Sequence, residues 1–125
     1  MLVNFDHTVI DARSGIAILQ RVALAENPLE LMVGLIGMSD AGASLWLPQT
    51  SIIHTFGMRF SLDLLFVNSG GMVLGVRLNV RPGRLVMANR GTVAILETKS
   101  YAQSVLSKVQ IGDFVRIVPN GTAVA

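Results

Sequence analysis

Cysteine is absent from this sequence, which excludes disulfide bonds, thiolate zinc sites and cysteine nucleophiles. Charge is scarce too: 14% of the 125 residues are charged and 51% are apolar. A typical globular domain has about 25% charged residues. A disordered chain needs high charge and low hydrophobicity, so we expect this chain to fold. With few charges to cover it, part of the surface should be apolar, which would suit a homo-oligomer or a docking surface for another protein.

A strongly basic field is also missing, because ten Lys and Arg residues face eight Asp and Glu residues for a net charge of +2. Nucleic-acid-binding proteins usually cluster basic residues on one face and place aromatic residues among them. Here the arginines are spread along the chain at Arg13, Arg21, Arg59, Arg77, Arg81, Arg84, Arg90 and Arg116. We therefore expect no nucleic-acid partner.

Targeting and membrane-spanning segments are not visible in the sequence. The first seven residues lack a basic region followed by an apolar stretch, so no secretory signal is predicted. No uninterrupted apolar run approaches the roughly 20 residues of a membrane helix. We expect a cytoplasmic protein without a membrane span.

The pattern of apolar residues favours strands over helices. Strands are predicted at residues 16–25, 51–56, 62–67, 72–78, 92–97 and 114–118, with shorter apolar segments at 45–47 and 85–87. Residues 62–67 are almost continuously apolar, which is typical of a strand buried on both faces. Residues 68–71 form a turn, so residues 62–78 should be a hairpin.

Helical signals are few. Asn27, Pro28 and Glu30 predict the start of a short helix, and Gly37 its end. One helical turn is possible within residues 99–109, whereas the first dozen residues show no periodicity. We therefore predict a mainly β, sandwich-like or barrel-like fold with one short helix. Residues 1–125 should form a single domain, with a core at about 13–118 and a loose tail at 119–125.

His54 and Asp63 are the first candidates for chemistry. A histidine and a carboxylate could act as a general base and its orienting group, or as two metal ligands. A metal site needs three or four ligands, and no ligand pair with suitable spacing accompanies these two. The alternative is a partly buried, hydrogen-bonded histidine, so we predict no metal and no cofactor.

Asp63 interrupts the buried strand, where an unpaired carboxylate would cost several kcal/mol. It should therefore have a partner, either an arginine or backbone N–H groups. Arg59 lies four residues away, which is roughly 13 Å along a strand at about 3.3 Å per residue. An arginine from a neighbouring strand is the better candidate, from among Arg77, Arg84 and Arg90. The pair could be purely structural or part of a ligand-binding cluster.

Further side chains leave two interpretations open. Glu97 ends an apolar strand and could form an acid–base couple with Asp63. Four arginines within fourteen positions could form an anion-binding rim or simply cover exposed strand edges: Arg77, Arg81, Arg84 and Arg90. Four large apolar side chains could line a pocket, although core packing is favoured for them: Trp46, Phe56, Met58 and Phe60.

The stretch at residues 53–60 and the apolar run that follows resemble a bacterial and archaeal family known as domain of unknown function 192. The matching pieces are Ile53-His54-Thr55-Phe56-Gly57-Met58-Arg59-Phe60, Leu62-Asp63-Leu64-Leu65-Phe66-Val67, Gly34-Leu35-Ile36-Gly37, Gly71-Met72-Val73, Arg81-Pro82, Ile95-Leu96-Glu97 and Ile111-Gly112-Asp113. The chain departs from the family at Ser61, Met38 and residues 98–100, where relatives have Pro, a basic residue and a Pro-Ala-Gly turn. The resemblance implies a compact β fold with a short helix and no established activity. Many relatives are exported, and some short forms accompany pilus or secretion genes.

Three functional hypotheses follow. The leading one is a non-enzymatic binding or accessory module for a small polar or anionic ligand or a peptide, with a site at His54, Arg59, Asp63 and Glu97. The second is a hydrolase-like enzyme that uses Asp63 and Glu97, or His54 with a metal. The third is a structural interaction protein of a pilus or secretion assembly.

Overall fold

Nine strands and one turn of 3₁₀ helix form the regular structure of residues 4–24, 43–100 and 105–121, the parts of the chain that the computed structural model describes. The strands are β1 (His7–Asp11), β2 (Ala17–Leu24), β3 (Ala43–Pro48), β4 (Ile52–His54), β5 (Leu62–Val67), β6 (Val73–Val80), β7 (Leu85–Met87), β8 (Ala94–Lys99) and β9 (Val115–Pro119). The 3₁₀ helix is Val105–Lys108. The mainly β, sandwich-like prediction is confirmed.

Seven strands form one mixed sheet in the order β6-β5-β8-β3-β2-β1-β9, and β4 pairs with β7 in a separate two-stranded sheet. The β2–β3 pair is parallel and the other pairs are antiparallel. The large sheet curls, because the starts of its two edge strands meet at a bridge between Met72 and Phe114. The Val115 N–H donates to the Gly71 carbonyl there, at 2.9 Å. Contact at this one end leaves the barrel unclosed.

Each face of the large sheet carries its own apolar core. The inner core fills the curl and contains Val9, Val22, Trp46, Leu65, Val67, Val73, Ala94, Leu96, Leu106 and Val115. The outer core lies on the opposite face and contains Ala23, Leu45, Leu47, Ile53, Met58, Leu62, Leu64, Phe66, Val80, Val86 and Ile95. Ile53 comes from β4 and Val86 from β7, so the small sheet covers the outer face.

Strand β5 supplies side chains to both cores, and all six of its residues are buried, as its continuous apolar sequence predicts. The hairpin with β6 is confirmed as well. The Asn68 side-chain oxygen accepts hydrogen bonds from the N–H groups of Gly70 and Met72 at 3.0 and 2.8 Å, which holds the turn.

Strand β1 was not predicted, because its sequence carries no clear alternation. It lies between β2 and β9, and Val9 is fully buried. The predicted helix at residues 27–37 lies outside the described residues. Within the described parts of the chain, no helix has the length and apolar character needed to cross a lipid bilayer.

Candidate functional site

The turn that joins β6 to β7 is built around a threonine from another part of the chain. Pro82 and Gly83 occupy its centre, and Gly83 has φ +80°, which fits a type II turn. The Thr55 hydroxyl donates to the Arg81 carbonyl at 2.7 Å and accepts from the Arg84 N–H at 2.8 Å. In a type II turn the carbonyl of the first residue and the N–H of the fourth commonly bond to each other. Here the Thr55 hydroxyl lies between them and bonds to both.

Thr55 also fixes the turn through its backbone. Its N–H donates to the Arg84 carbonyl at 2.8 Å, and its carbonyl accepts from the N–H groups of Gly83 and Met58 at 3.0 and 3.2 Å. The side chain is fully buried, and Met58 packs in the outer core. The turn is thus attached to the core at one residue, and its two arginines have a fixed backbone.

The strand before this turn contains a β-bulge. Leu62 pairs with Val80 and Leu64 with Arg77, so Asp63 faces the two intervening residues of β6. One of these is Asn79, with φ +57°, a conformation that asparagine tolerates better than most residues. The Asn79 N–H donates to Asp63 Oδ1 at 2.8 Å. Asp63 therefore stabilises the bulge.

A cavity of about 280 Å³ lies between the bulge and the turn. It is lined by Arg77, Leu78, Asn79, Val80, Arg81, Arg84, Leu85 and Val86. The three arginines are exposed, and none of them forms an ion pair with a carboxylate of the described residues. Arg90, the fourth arginine of the sequence cluster, does not line it. Three uncompensated guanidinium groups around one cavity favour an anionic ligand.

The four site residues predicted from the sequence do not form one cluster. Asp63 lies opposite Thr98 on β8, whereas Glu97 lies opposite Leu64 on β5. Residues directly opposite share a face and successive residues alternate, so Asp63 and Glu97 point to opposite faces of the sheet. An acid–base couple between them would need both carboxyl groups on one face.

His54 and Arg59 also stand apart. The His54 ring is half-buried and stacks on Phe56, with 5.2 Å between centroids. Arg59 is exposed on the loop after β4. Among the described residues, no hydrogen bond or ion pair joins any two of His54, Arg59, Asp63 and Glu97, and no group of three or more metal-ligating side chains is present.

The arginine expected beside Asp63 is replaced by the backbone N–H of Asn79, because the bulge turns that group toward the carboxylate. The sequence interpretation included Thr55 in the motif at residues 53–60 but gave it no role. Its signal was weak: a threonine in an extended segment also fits ordinary strand packing. The Arg81-Pro82-Gly83-Arg84 turn was visible, but nothing in the sequence linked it to Thr55.

Glu97 occupies the outer-core face between two leucines, Leu45 on β3 and Leu64 on β5. Its exposed fraction is 1%, and neither carboxyl oxygen has a hydrogen-bond partner among the residues that the structure describes. Burial disfavours the charged form and raises the pKa of Glu97 from 4.5 to about 7. Glu97 is therefore a buried acid and not a surface ligand.

A larger cavity, of about 590 Å³, opens at the end of the curl where β9 approaches β6. Its lining is mostly apolar and includes Trp46, Val67 and Phe114. The side-chain oxygen of Asn68, which lines this cavity, is already used in hydrogen bonds within its own turn. One arginine, Arg116, lines this larger cavity, whereas three line the 280 Å³ cavity between the bulge and the turn, which we call the arginine cavity. The arginine cavity is therefore the better candidate for a site that binds an anion.

Replacing Thr55 tests whether its hydroxyl holds the turn. We expect Thr55→Val to lower the free energy of unfolding by about 2–4 kcal/mol, since the Arg81 carbonyl and Arg84 N–H lose their shared partner. Thr55→Ser keeps the hydroxyl and should cost only about 1 kcal/mol for the lost methyl group. Urea denaturation measures both variants, and equal losses would contradict the role of the hydroxyl.

The raised pKa of Glu97 predicts a pH dependence of stability. Between pH 4.5 and about 7 the folded chain holds a proton that the unfolded chain releases, so stability falls as pH rises. The loss should total about 3 kcal/mol and be complete above pH 7. Glu97→Gln removes this titration. Urea denaturation measures the free energy of unfolding of both proteins at pH 5 and pH 8. From pH 5 to pH 8 the variant should become more stable relative to the wild type. A difference between the two proteins that does not change with pH would contradict the assignment.

Two solved structures share this fold. A protein of unknown function from Novosphingobium aromaticivorans DSM 12444 has a TM-score of 0.67 and 22% identity, over 89% of this chain and 83% of that one. A protein from Sinorhizobium meliloti 1021, described as a "putative transcription regulator", has a TM-score of 0.70 and 19% identity, over 93% of this chain and 97% of that one. No protein-family model and no curated protein matches the sequence. At these identities the likeness shows the fold alone.

Proposed function

We propose that this protein is a non-enzymatic binding module whose ligand presents a small anionic group, a phosphate or a carboxylate, to the cavity between β6 and β7. The observation that carries the proposal is that three arginines, Arg77, Arg81 and Arg84, line one cavity and have no carboxylate partner among the described residues. A bound anion would offset the positive charge that these three side chains bring to the cavity.

The chemistry of arginine supports this ligand class. A guanidinium group has five N–H donors in a planar fork that matches phosphate and carboxylate oxygens, and it stays charged at physiological pH. Arg81 and Arg84 have their backbones fixed by Thr55, and Arg77 lies just before the bulge that Asp63 stabilises. A fixed backbone lowers the entropy lost when the side chains close on a ligand.

We propose a supporting role for Asp63, one of the four residues of the leading hypothesis. Asp63 is buried and one of its oxygens is engaged with Asn79, so it shapes the cavity without contacting the anion. The hydrolase hypothesis has less support, because Asp63 and Glu97 lie on opposite faces of the sheet. We also propose membership of the domain of unknown function 192 family, on the motif at residues 53–67, and a cytoplasmic location.

The proposal is tested by titrating the protein with inorganic phosphate and with citrate at low salt and measuring binding by isothermal calorimetry. We expect a dissociation constant of about 1 mM or below. Arg84→Gln should weaken binding about tenfold, since a hydrogen bond to a charged group contributes about 1.5–3 kcal/mol. This variant keeps the Arg84 N–H and carbonyl that bond to Thr55.

Arg90→Gln is the matched control, because it removes the same charge from an exposed arginine outside the cavity. It should leave both titrations unchanged. Equal weakening by Arg84→Gln and Arg90→Gln would show attraction to net charge alone and contradict the site. A short DNA duplex forms a third arm: tight binding of DNA in preference to the small anions would favour a regulator of the kind named for the Sinorhizobium protein and overturn the proposal.

A further inference from the structure

The outer face of the small sheet is apolar and exposed. Four side chains define this apolar ribbon: Ile52, Phe56, Leu85 and Met87, which are 53%, 53%, 65% and 70% exposed. Ile52 lies directly opposite Met87, and Leu85 lies opposite His54, whose ring stacks on Phe56. The four therefore form a continuous surface, and patches of this kind on a protein often mark a contact with a partner.

The apolar ribbon is continuous with the arginine cavity. Leu85 belongs to both, and β7 begins directly after Arg84. Val86, the next residue of β7, points the other way into the outer core and anchors the strand. A molecule lying along the ribbon would therefore also reach the arginine cavity.

The small sheet also has open edges. Each of its two strands pairs only with the other among the described residues. An unpaired edge presents backbone N–H and C=O groups to which an extended peptide can add as a further strand, with alternate side chains covering the sheet face.

Area and charge indicate what covers this surface. The exposed area of the four side chains of the ribbon is roughly a few hundred Å², whereas a stable dimer buries about 800 Å² on each partner. A second copy of the chain would bring the same apolar ribbon, and its ribbon carries no acidic side chain to meet the arginines. An extended segment with apolar side chains and an acidic end would satisfy both the ribbon and the arginines.

We infer that the apolar ribbon and the arginine cavity together dock an extended segment of a partner protein, apolar along its length and acidic at one end. This inference rests on the proposed function, because the acidic end is the anion that the cavity binds. The partner segment adds to the edge of the small sheet and lays its apolar side chains on Leu85 and Met87.

The test uses three synthetic peptides and inorganic phosphate. The first peptide has two aspartates followed by alternating leucine and threonine; the second has serine in place of leucine; the third has lysine in place of aspartate. Calorimetry should show the first peptide binding at least about tenfold more tightly than either of the others and than phosphate.

A paired substitution on the protein separates this inference from the proposed function. Ile52→Thr with Met87→Thr removes exposed apolar side chains that do not line the cavity and puts threonine, which favours strands, at both positions. We expect this variant to bind phosphate as the wild type does and the first peptide about tenfold more weakly. Arg84→Gln should weaken both.

Each of the following outcomes would contradict the docking inference. Phosphate binding without tighter peptide binding, or peptide binding that survives the paired substitution, would overturn the docking inference and leave the proposed function intact. Failure to bind phosphate or any acidic peptide would overturn both. Sedimentation of the wild type as a dimer that the paired substitution dissociates would assign the ribbon to a second copy. Adsorption to vesicles of anionic lipid that depends on Met87 would assign it to a membrane.

Discussion

The hydroxyl group of Thr55 is the contact on which the candidate site depends. It joins a residue that follows β4 to both ends of a turn 26 and 29 positions further along the chain. A turn attached only through its own strands would leave Arg81 and Arg84 on a mobile backbone, since exposed turns have few packing contacts. Because the hydroxyl is buried away from water, its two hydrogen bonds to the turn are stronger than they would be at the surface.

Much of the fold could be predicted because its signals are local. The continuous apolar run of β5 and the Asn68–Gly71 turn predict a hairpin at residues 62–78, and the structure contains it, with β6 ending at Val80. Strand β1 could not be predicted in the same way. Its pairing with β9 joins residues more than a hundred positions apart, such as His7 with Pro119, and its five residues show no alternation that would signal a strand.

The candidate site was predicted in part. The cluster of arginines was visible as a possible anion-binding rim, and the fold brings three of the four together because the bulge and turn reverse the chain between them. The relation of Asp63 to Glu97 was not visible. Whether two strand residues share a face depends on the register between their strands, and a shift of one residue inverts the answer. The observed pairing of Asp63 with Thr98 is what places Asp63 and Glu97 on opposite faces of the sheet.

The polar residues of the strands and the arginines of the turn have different physical tasks. A buried carboxylate such as Asp63 can hold a backbone N–H in an unusual conformation, but its exposed fraction of 1% keeps it away from a ligand in solution. Exposed arginines can contact a ligand, but a rigid backbone is needed for several of them to bind the same ligand at once. The stretch from His54 to Asp63 therefore contributes to binding indirectly: Thr55 and Asp63 hold the two sides of a cavity whose charge comes from residues further along the chain. Because the two tasks are separate, substitutions of the arginines can change the ligand while the same framework keeps its shape.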